Sequence, residues 1–158
     1  MLEYLIDKSE MDMIKYISKS IKNTEDFASR IASVLKGNEI IAMFGDLGAG
    51  KTAFTRGLCR GLGIEDGVSS PTFAIVNAYS GKYPVYHFDM YRITSIDDLF
   101  ATGYYDYLGT GVIVIEWSEN IESELEPDCI RIKITKSDDD NERIFEVEGM
   151  DDYADIIC

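Results

Sequence analysis

The chain is poor in cysteine and proline, and each shortage excludes a class of protein. Its 158 residues include three cysteines, Cys59, Cys129 and Cys158, which are odd in number and share no C-x-x-C spacing. A disulfide framework or a zinc site is therefore not expected. Three prolines and 13 glycines exclude collagen-like and low-complexity sequence. The cysteines are predicted to be the reduced thiols of an intracellular protein.

Basic residues are also scarce. Fifteen Lys and Arg against 29 Asp and Glu give a formal net charge of −14, which repels phosphate backbones at long range. The sequence has no local basic stripe that would override this sum. Direct, general binding of nucleic acid is not expected, and a partner attracted by charge would present a basic or neutral surface.

Long apolar runs are absent as well. Segments such as 40–44 and 112–115 are too short to span a bilayer, and the acidic N-terminal residues do not resemble a secretion signal. We therefore expect no membrane association and a cytoplasmic location. A hydrophobic content of 46 % with 11 % aromatic residues is typical of a globular protein, and the length predicts one domain over residues 1–158.

Hydrophobic patterning predicts alternating strands and helices. Alternation over Met13–Ser18 favours a half-buried strand, and helical spacing after an N-cap at Asn23 favours a helix that ends at Gly37. The continuous apolar runs within 38–44 and 111–117 are typical of strands buried on both faces. Further predicted strands are 73–79, 84–88 and the hairpin of 129–135 with 143–148, and further predicted helices are 51–62 and 95–100, the latter capped by Ser95.

A phosphate-binding motif lies between the first buried strand and the helix that follows it. Residues 45–52, GDLGAGKT, satisfy G-x-x-x-x-G-K-[ST], in which glycines let the backbone wrap around phosphate oxygens at a helix N-terminus. Lys51 is predicted to reach the β- and γ-phosphates, and the Thr52 hydroxyl to bind Mg²⁺. The predicted nucleotide-binding residues of this segment are Asp46, Leu47, Gly48, Ala49, Gly50, Lys51, Thr52 and Ala53.

Two acidic residues at strand ends are candidates for the metal and for the attacking water. Glu116 follows the apolar run 112–115, and Asp89 ends the strand 84–88. The carboxyl ends of strands are where open α/β sheets bind ligands. Each acid could instead cap a helix or pair with Arg92.

Four other side chains are weaker candidates for the nucleotide site. His87, the single histidine, is expected to be packed or hydrogen-bonded rather than catalytic. Trp117 is expected to pack near the nucleotide. Arg92 and Arg143 could each approach a γ-phosphate, although most arginines are solvated or ion-paired. The acidic runs 138–140 and 151–155 are predicted to be solvated.

Four motifs together resemble one protein family. GDLGAGKTAFTRGLCRGLG (45–63), SPTF (70–73), HFDMYR (87–92) and IEW (115–117) resemble, in order and spacing, TsaE, the bacterial ATPase of tRNA threonylcarbamoyladenosine biosynthesis. The resemblance extends over roughly residues 13 to 149. Two positions depart from the usual pattern, Met90 in place of Leu and Ser118 in place of Pro or Ala.

The resemblance implies a small Mg²⁺-dependent ATPase that joins a complex with the proteins TsaB and TsaD. In that family ATP hydrolysis supports repeated turnover of the complex, and tRNA is contacted only through it. The resemblance assigns phosphate binding to Lys51, the metal to Thr52 and Glu116, and a place near the γ-phosphate to Asp89. It also implies a switch-like loop at 70–73 and a place for Thr24 near the adenine.

Three other functions share parts of this pattern. A GTPase is suggested by Thr135-Lys136-Ser137-Asp138, which matches [NT]-K-x-D, but the D-x-x-G of residues 106–109 follows no predicted strand. A small-molecule kinase shares the phosphate loop but usually closes an arginine-rich lid, for which this chain lacks clustered basic residues. A nucleotide-gated interaction module, in which ATP orders residues 70–73, overlaps with the ATPase.

The fold predicted from these observations is a three-layer α/β P-loop NTPase. A mixed, mostly parallel central sheet is expected, parallel around segments 38–44 and 111–117, with helices on both faces. The late strands are expected to form one antiparallel edge.

Overall fold

A single sheet of seven strands runs through the computed structural model of the protein, which describes residues 13–46, 48–65, 67–71 and 75–158. The strands are β1 (Met13–Ser18), β2 (Ile40–Phe44), β3 (Val76–Ser80), β4 (Pro84–Asp89), β5 (Val112–Glu116), β6 (Ile130–Lys136) and β7 (Arg143–Glu148). Their order across the sheet is β1-β7-β6-β2-β5-β4-β3.

Parallel pairing occupies the centre of this sheet, and antiparallel pairing occupies both edges. Strands β6, β2, β5 and β4 are mutually parallel, whereas β7 pairs antiparallel with β6 and β1, and β3 pairs antiparallel with β4. The expectation of one antiparallel edge is therefore corrected to two. The physical reason is the three-residue turn 81–83, which is long enough for a hairpin but too short for a parallel crossover.

Helices cover both faces of the sheet, as predicted. One face carries α1 (Ile21–Ala32) and α2 (Lys51–Gly61), and the other carries α3 (Ile96–Ala101), α4 (Tyr104–Tyr107) and a 3₁₀ segment, Ser118–Glu124. A last short helix, α5 (Ala154–Ile157), packs on the first face, where Ile157 is fully buried and its carbonyl accepts a hydrogen bond from Arg30 Nε. The acidic residues of the tail are exposed, as predicted.

The start of α1 differs from the prediction. Ser20, not Asn23, is the N-cap: its backbone is extended, with φ −161° and ψ 164°, and its hydroxyl accepts the Asn23 N–H at 3.0 Å. Both residue types are good caps, so the local sequence does not choose between them. The position of β1, which ends at Ser18, leaves room for the earlier start.

The end of α1 also differs, because the helix ends at Ala32 rather than at Gly37. The Glu39 carboxylate accepts the backbone N–H groups of Lys36, Gly37 and Asn38 at 2.7, 2.9 and 3.0 Å. These amides therefore do not form helical hydrogen bonds, and the chain turns toward β2.

The remaining elements follow the predicted plan with shifted boundaries. The strand predicted at 73–79 is β3, which begins at Val76, and Phe73 lies outside the described residues. The Ser95 cap of α3 is confirmed, since its hydroxyl accepts the Asp98 N–H at 3.1 Å. Helix α4 was not predicted, because four residues are too few to show a helical period.

On the first face of the sheet, close packing of α1 against α2 fixes the position of α2 after β2. Phe27 of α1 is fully buried, stacks on Tyr16 with 4.1 Å between ring centroids, and meets Phe54 of α2 edge-on. At Gly57 a Cβ atom would lie 2.3 Å from the Glu25 carbonyl oxygen, so only glycine permits this approach of α2 to α1.

Within the described ranges, no helix is both long and apolar enough to cross a membrane.

Candidate functional site

The glycine-rich loop joins the carboxyl end of β2 to the N-terminus of α2. Gly50, the residue before the helix, has φ 109°, and the Ala49 N–H donates to the Asp46 carbonyl at 3.0 Å. A positive φ of this size is readily adopted only by glycine. The loop therefore leads directly into the first turn of α2, whose N–H groups have no partner within the helix and carry a partial positive charge.

Lys51 is the first residue of α2 and is almost wholly buried. Its ammonium group donates a hydrogen bond of 2.6 Å to the Gly45 carbonyl and lies 4.1 Å from the centre of the Trp117 ring. Trp117 has φ 58°, a left-handed conformation that is uncommon outside glycine. This turn after β5 brings the ring against the lysine, where the negative π-face stabilises the cation.

Three oxygen-bearing side chains meet beside Lys51. The Thr52 hydroxyl lies 3.1 Å from the Ser70 hydroxyl, and Ser70 Oγ donates to Glu116 Oε2 at 3.0 Å. Glu116 ends β5 and is the strand partner of Asp89, which ends β4. The parallel pairing of β4 with β5 thus places both predicted acids side by side at the carboxyl edge of the sheet.

The two acids differ in their ionisation. Burial raises the pKa of Glu116, but the adjoining His87 imidazole, the Ser70 hydroxyl and the Lys51 ammonium outweigh burial and hold that pKa below its ordinary value. Burial raises the pKa of Asp89, and the negative charge of Glu116 raises it further, although the Tyr91 N–H partly offsets both. Glu116 is therefore the more readily ionised carboxylate, and Asp89 is the stronger proton acceptor.

His87 lies beneath this pair and is fully buried. Its Nε2 atom is 3.4 Å from Glu116 Oε1, a distance longer than a good hydrogen bond. Among the described residues, neither ring nitrogen has a hydrogen-bond partner. The packed position expected of this histidine is found, and it lies against a predicted site residue.

The outer side of the loop is held by residues from elsewhere in the chain. Arg143 donates from Nε to the Ala49 carbonyl at 3.1 Å and from Nη2 to the Gly48 carbonyl at 3.4 Å. Glu119, in the 3₁₀ segment, accepts the Gly45 N–H at 3.3 Å. Arg92, the other arginine considered for the γ-phosphate, is exposed.

A groove of about 720 Å³ also borders the loop, on the face of the sheet opposite α1 and α2. Its lining includes Gly45, Asp46 and Ala49 together with side chains of β6 and β7, and it contains none of Lys51, Thr52, Glu116 or Asp89. The groove is therefore distinct from the cluster that carries the predicted chemistry.

Other predicted residues lie outside this group of hydrogen-bonded side chains. Thr24 is nearly buried, and its hydroxyl lies 2.8 Å from the Ser18 hydroxyl, while its place near the adenine stays a prediction. Ala53 is partly exposed in the first turn of α2 and Asp46 is exposed. Leu47 and Phe73 lie outside the described residues. Within the part of the chain that is described, no group of three His, Cys, Asp or Glu side chains could hold a metal by itself.

Two contacts were missed by sequence reasoning. Ser70 was assigned to a switch-like loop, but its hydroxyl connects Thr52 to Glu116. Glu119 was not considered, although it bonds the first glycine of the motif. No local pattern distinguishes Glu119 from the other acids of its segment, so only the fold could identify it.

Comparison with known proteins identifies one family. A family model described as "Threonylcarbamoyl adenosine biosynthesis protein TsaE" matches residues 18–145. The TsaE protein of Treponema pallidum is 36% identical over 132 residues, covering 83% of this chain and 98% of that protein. The TsaE protein of Bacillus subtilis is 38% identical over 136 residues, covering 85% of each chain.

A solved structure supports the same grouping. The crystal structure of Bacillus subtilis YdiB matches with a TM-score of 0.72 at 33% identity and covers 92% of this chain and 91% of the other. The structural similarity therefore extends over most of the chain and is not confined to the motif segments. On the strength of the family model and these relatives, the chain belongs to the TsaE family of threonylcarbamoyl adenosine biosynthesis proteins.

Proposed function

We propose that this protein is the ATP-binding and ATP-hydrolysing subunit of the machinery that makes threonylcarbamoyladenosine in tRNA. The observation that carries the proposal is the convergence of Lys51, Thr52, Ser70 and Glu116 at the N-terminus of α2. A cation, hydroxyls and an ionised carboxylate at a helix N-terminus are the groups that a Mg²⁺–triphosphate requires.

Lys51 has a defined part in this proposal. Its ammonium group would leave the Gly45 carbonyl and bind the β- and γ-phosphates, which offer stronger, charge-assisted hydrogen bonds. Trp117 would remain against the lysine stem and shield the contact from water. Loop amides and the α2 N-terminus would bind the remaining phosphate oxygens.

The oxygen cluster fits Mg²⁺, which prefers hard oxygen ligands and is commonly held by one or two carboxylates together with substrate phosphates. Thr52 Oγ1 and Glu116, joined through Ser70 in this structure, are the proposed ligands. Bound Mg²⁺ would neutralise charge on the phosphates during hydrolysis. Asp89, whose pKa is raised, is proposed to orient the attacking water and accept its proton.

The proposed partners are TsaB and TsaD, in the cytoplasm, with tRNA contacted only through that complex. The net charge of −14 supports this arrangement, because a subunit that docks on proteins has no need of a basic face for tRNA. Hydrolysis by the isolated chain is expected to be slow, since partners often complete the catalytic groups of such enzymes.

The test measures phosphate release and partner association together. We expect phosphate release from ATP that depends on Mg²⁺ and rises when TsaB and TsaD are added, and we expect ATP to increase co-purification with both proteins. Trp117, the single tryptophan, is expected to report ATP binding by a change in fluorescence. Absence of phosphate release with both partners present would contradict the proposal.

GTP binding is a second candidate that one contact favours. Lys136, from the segment that resembles a guanine motif, places its ammonium group beside Gly48, 3.1 Å from where a Cβ atom would lie. Residues 106–109, however, lie in α4 and the turn after it rather than at a strand end. We expect tighter binding of ATP than of GTP in parallel titrations followed by Trp117 fluorescence. A kinase is tested separately, because transfer of phosphate to an added acceptor molecule would indicate that activity instead of hydrolysis.

A further inference from the structure

Arg143 joins the phosphate loop to the turn between β6 and β7. In addition to its contacts with the Ala49 and Gly48 carbonyls, Nη1 donates to the Asp140 carbonyl at 2.7 Å and to the Glu142 carbonyl at 2.9 Å. Four of the five guanidinium N–H groups are thus directed at backbone oxygens. An arginine held in this way cannot contact a γ-phosphate without breaking these hydrogen bonds.

The contact with Ala49 determines the direction of the next amide. In a trans peptide the C=O and the following N–H point in opposite directions. Because the Ala49 carbonyl points to the guanidinium, the Gly50 N–H points away from it, toward the opposite side of the loop. The N–H of Gly50 stands immediately before Lys51, where phosphate oxygens are proposed to bind.

The anchor itself is well fixed. Arg143 is the first residue of β7, and its backbone is paired with Ser18 of β1 on one side and with Lys136 of β6 on the other. Its side chain is partly buried. A strand end held by two neighbours is a more rigid support than the loop it contacts.

We propose that Arg143 is a positioning residue for nucleotide binding: by holding the Ala49 carbonyl outward, it keeps the Gly50 N–H directed at the phosphates. This inference rests on the proposed function and adds a residue outside the phosphate-binding motif. The guanidinium acts through its planar, multidentate geometry, which a lysine ammonium does not reproduce.

The test compares Arg143→Gln and Arg143→Lys with the control Arg131→Gln. Arg131 lies on the adjacent strand and contacts Glu122 at 3.4 Å, so its variant makes the same change of charge without removing a hydrogen bond to the loop. Trp117 fluorescence measures the Kd values of ATP and ADP. We expect both Arg143 variants to bind ATP and ADP about tenfold more weakly than the control, the scale of one lost hydrogen bond to a charged group.

Each alternative role gives a different pattern. A γ-phosphate contact would lower hydrolysis but leave ADP affinity unchanged, and a role based on charge alone would let Arg143→Lys bind like the wild type. Either result would overturn the inference, as would Kd values equal to those of Arg131→Gln. All titrations are made at a temperature below the thermal unfolding midpoint of each variant, and that midpoint is measured separately.

Amide hydrogen exchange in the nucleotide-free protein separates this inference from the proposed function. We expect Arg143→Gln to speed exchange at Ala49, whose N–H donates to the Asp46 carbonyl, and at Glu142 in the turn 138–142, relative to Arg131→Gln. Equal exchange in the two variants would overturn the positioning role. If the wild type bound no nucleotide, the proposed function would fail, and the exchange result would still decide whether Arg143 orders the loop.

Discussion

Two three-stranded halves of the sheet, which leave out only the edge strand β3, differ in how completely helices cover them. In the covered half, formed by β2, β5 and β4, every residue of β5 is buried, and helices lie on both faces. In the open half, formed by β1, β7 and β6, buried and exposed residues alternate along β6 and β1 because helices cover only one face. The sequence shows the same contrast as continuous apolar runs against alternation.

The proposed chemistry belongs to the covered half. Lys51 follows β2, Glu116 ends β5 and Asp89 ends β4, and the first two are nearly buried. Interactions between charges strengthen as water is excluded, so these few groups can bind a highly charged ligand. The charges of the open half, such as Lys133, are solvated and screened, and this half contributes support to the loop from outside through Arg143.

The largest expected effect is on hydrolysis. Glu116→Gln keeps the shape of the side chain and removes its charge, and we expect ATP hydrolysis to fall about a thousandfold, because a metal ligand contributes several kcal/mol to the transition state. Glu146→Gln, on β7 of the open half, is expected to keep full activity. Phosphate release at saturating ATP and Mg²⁺ measures both, and equal rates would remove Glu116 from the mechanism.

The next effect is on folding. Ile113→Ala removes a fully buried side chain of β5, and we expect the free energy of unfolding to fall by about 3 kcal/mol. Ile17 on β1 is 46% exposed, so Ile17→Ala is expected to cost less than about 1 kcal/mol. Urea unfolding followed by circular dichroism compares them, and a similar loss in both would show that the two halves are equally packed.

A somewhat smaller effect is expected on nucleotide affinity. Lys51→Ala removes a nearly buried cation, and the Kd of ATP is expected to rise about a hundredfold, as for the loss of charge-assisted hydrogen bonds. Lys133→Ala removes the same charge from the open half and is expected to change the Kd by less than about twofold. Trp117 fluorescence would be altered by loss of Lys51, so isothermal titration calorimetry is the measurement. Wild-type affinity in Lys51→Ala would contradict the phosphate-binding assignment.

The smallest consequence concerns thiol reactivity. Burial raises the pKa of the Cys59 thiol to about 12, so at pH 8 it holds about a thousandfold less of the reactive thiolate than an ordinary cysteine. Cys158 is exposed. We expect iodoacetamide to label Cys158 within minutes and Cys59 only after unfolding, and mass spectrometry of the labelled peptides measures the order. Rapid labelling of Cys59 in the native protein would mean that α2 separates easily from the sheet.

Local sequence patterns predicted the existence of the strands and helices better than their first and last residues. The strands at Met13–Ser18 and Arg143–Glu148 and the Ser95 cap were predicted because alternation and capping involve neighbours in the chain. The start of α1 was wrong because two suitable caps stand three residues apart. The short turn 81–83 makes β3 and β4 a hairpin, but the second antiparallel edge was missed because the place of that hairpin in the sheet depends on strand order, which is not a local property.

In the candidate site, too, local features were predicted from the sequence and contacts between distant residues were not. The motif 45–52 specifies its own turn and helix start through the spacing of its glycines and the lysine, so its place between β2 and α2 was predicted without any knowledge of the rest of the chain. Glu116 and Asp89 were recognised as acids at strand ends, and only the pairing of β4 with β5 made them neighbours with opposite changes in pKa.

What the amino-acid order determined alone is therefore a set of short-range choices: helix, strand, turn and the chemical character of one loop. The folded chain decided which distant groups meet that loop, namely Ser70 on Thr52 and Glu116, Trp117 on Lys51, and Arg143 on the Ala49 carbonyl. Such contacts depend on strand order and on burial shared by the whole sheet, which no short stretch of sequence contains.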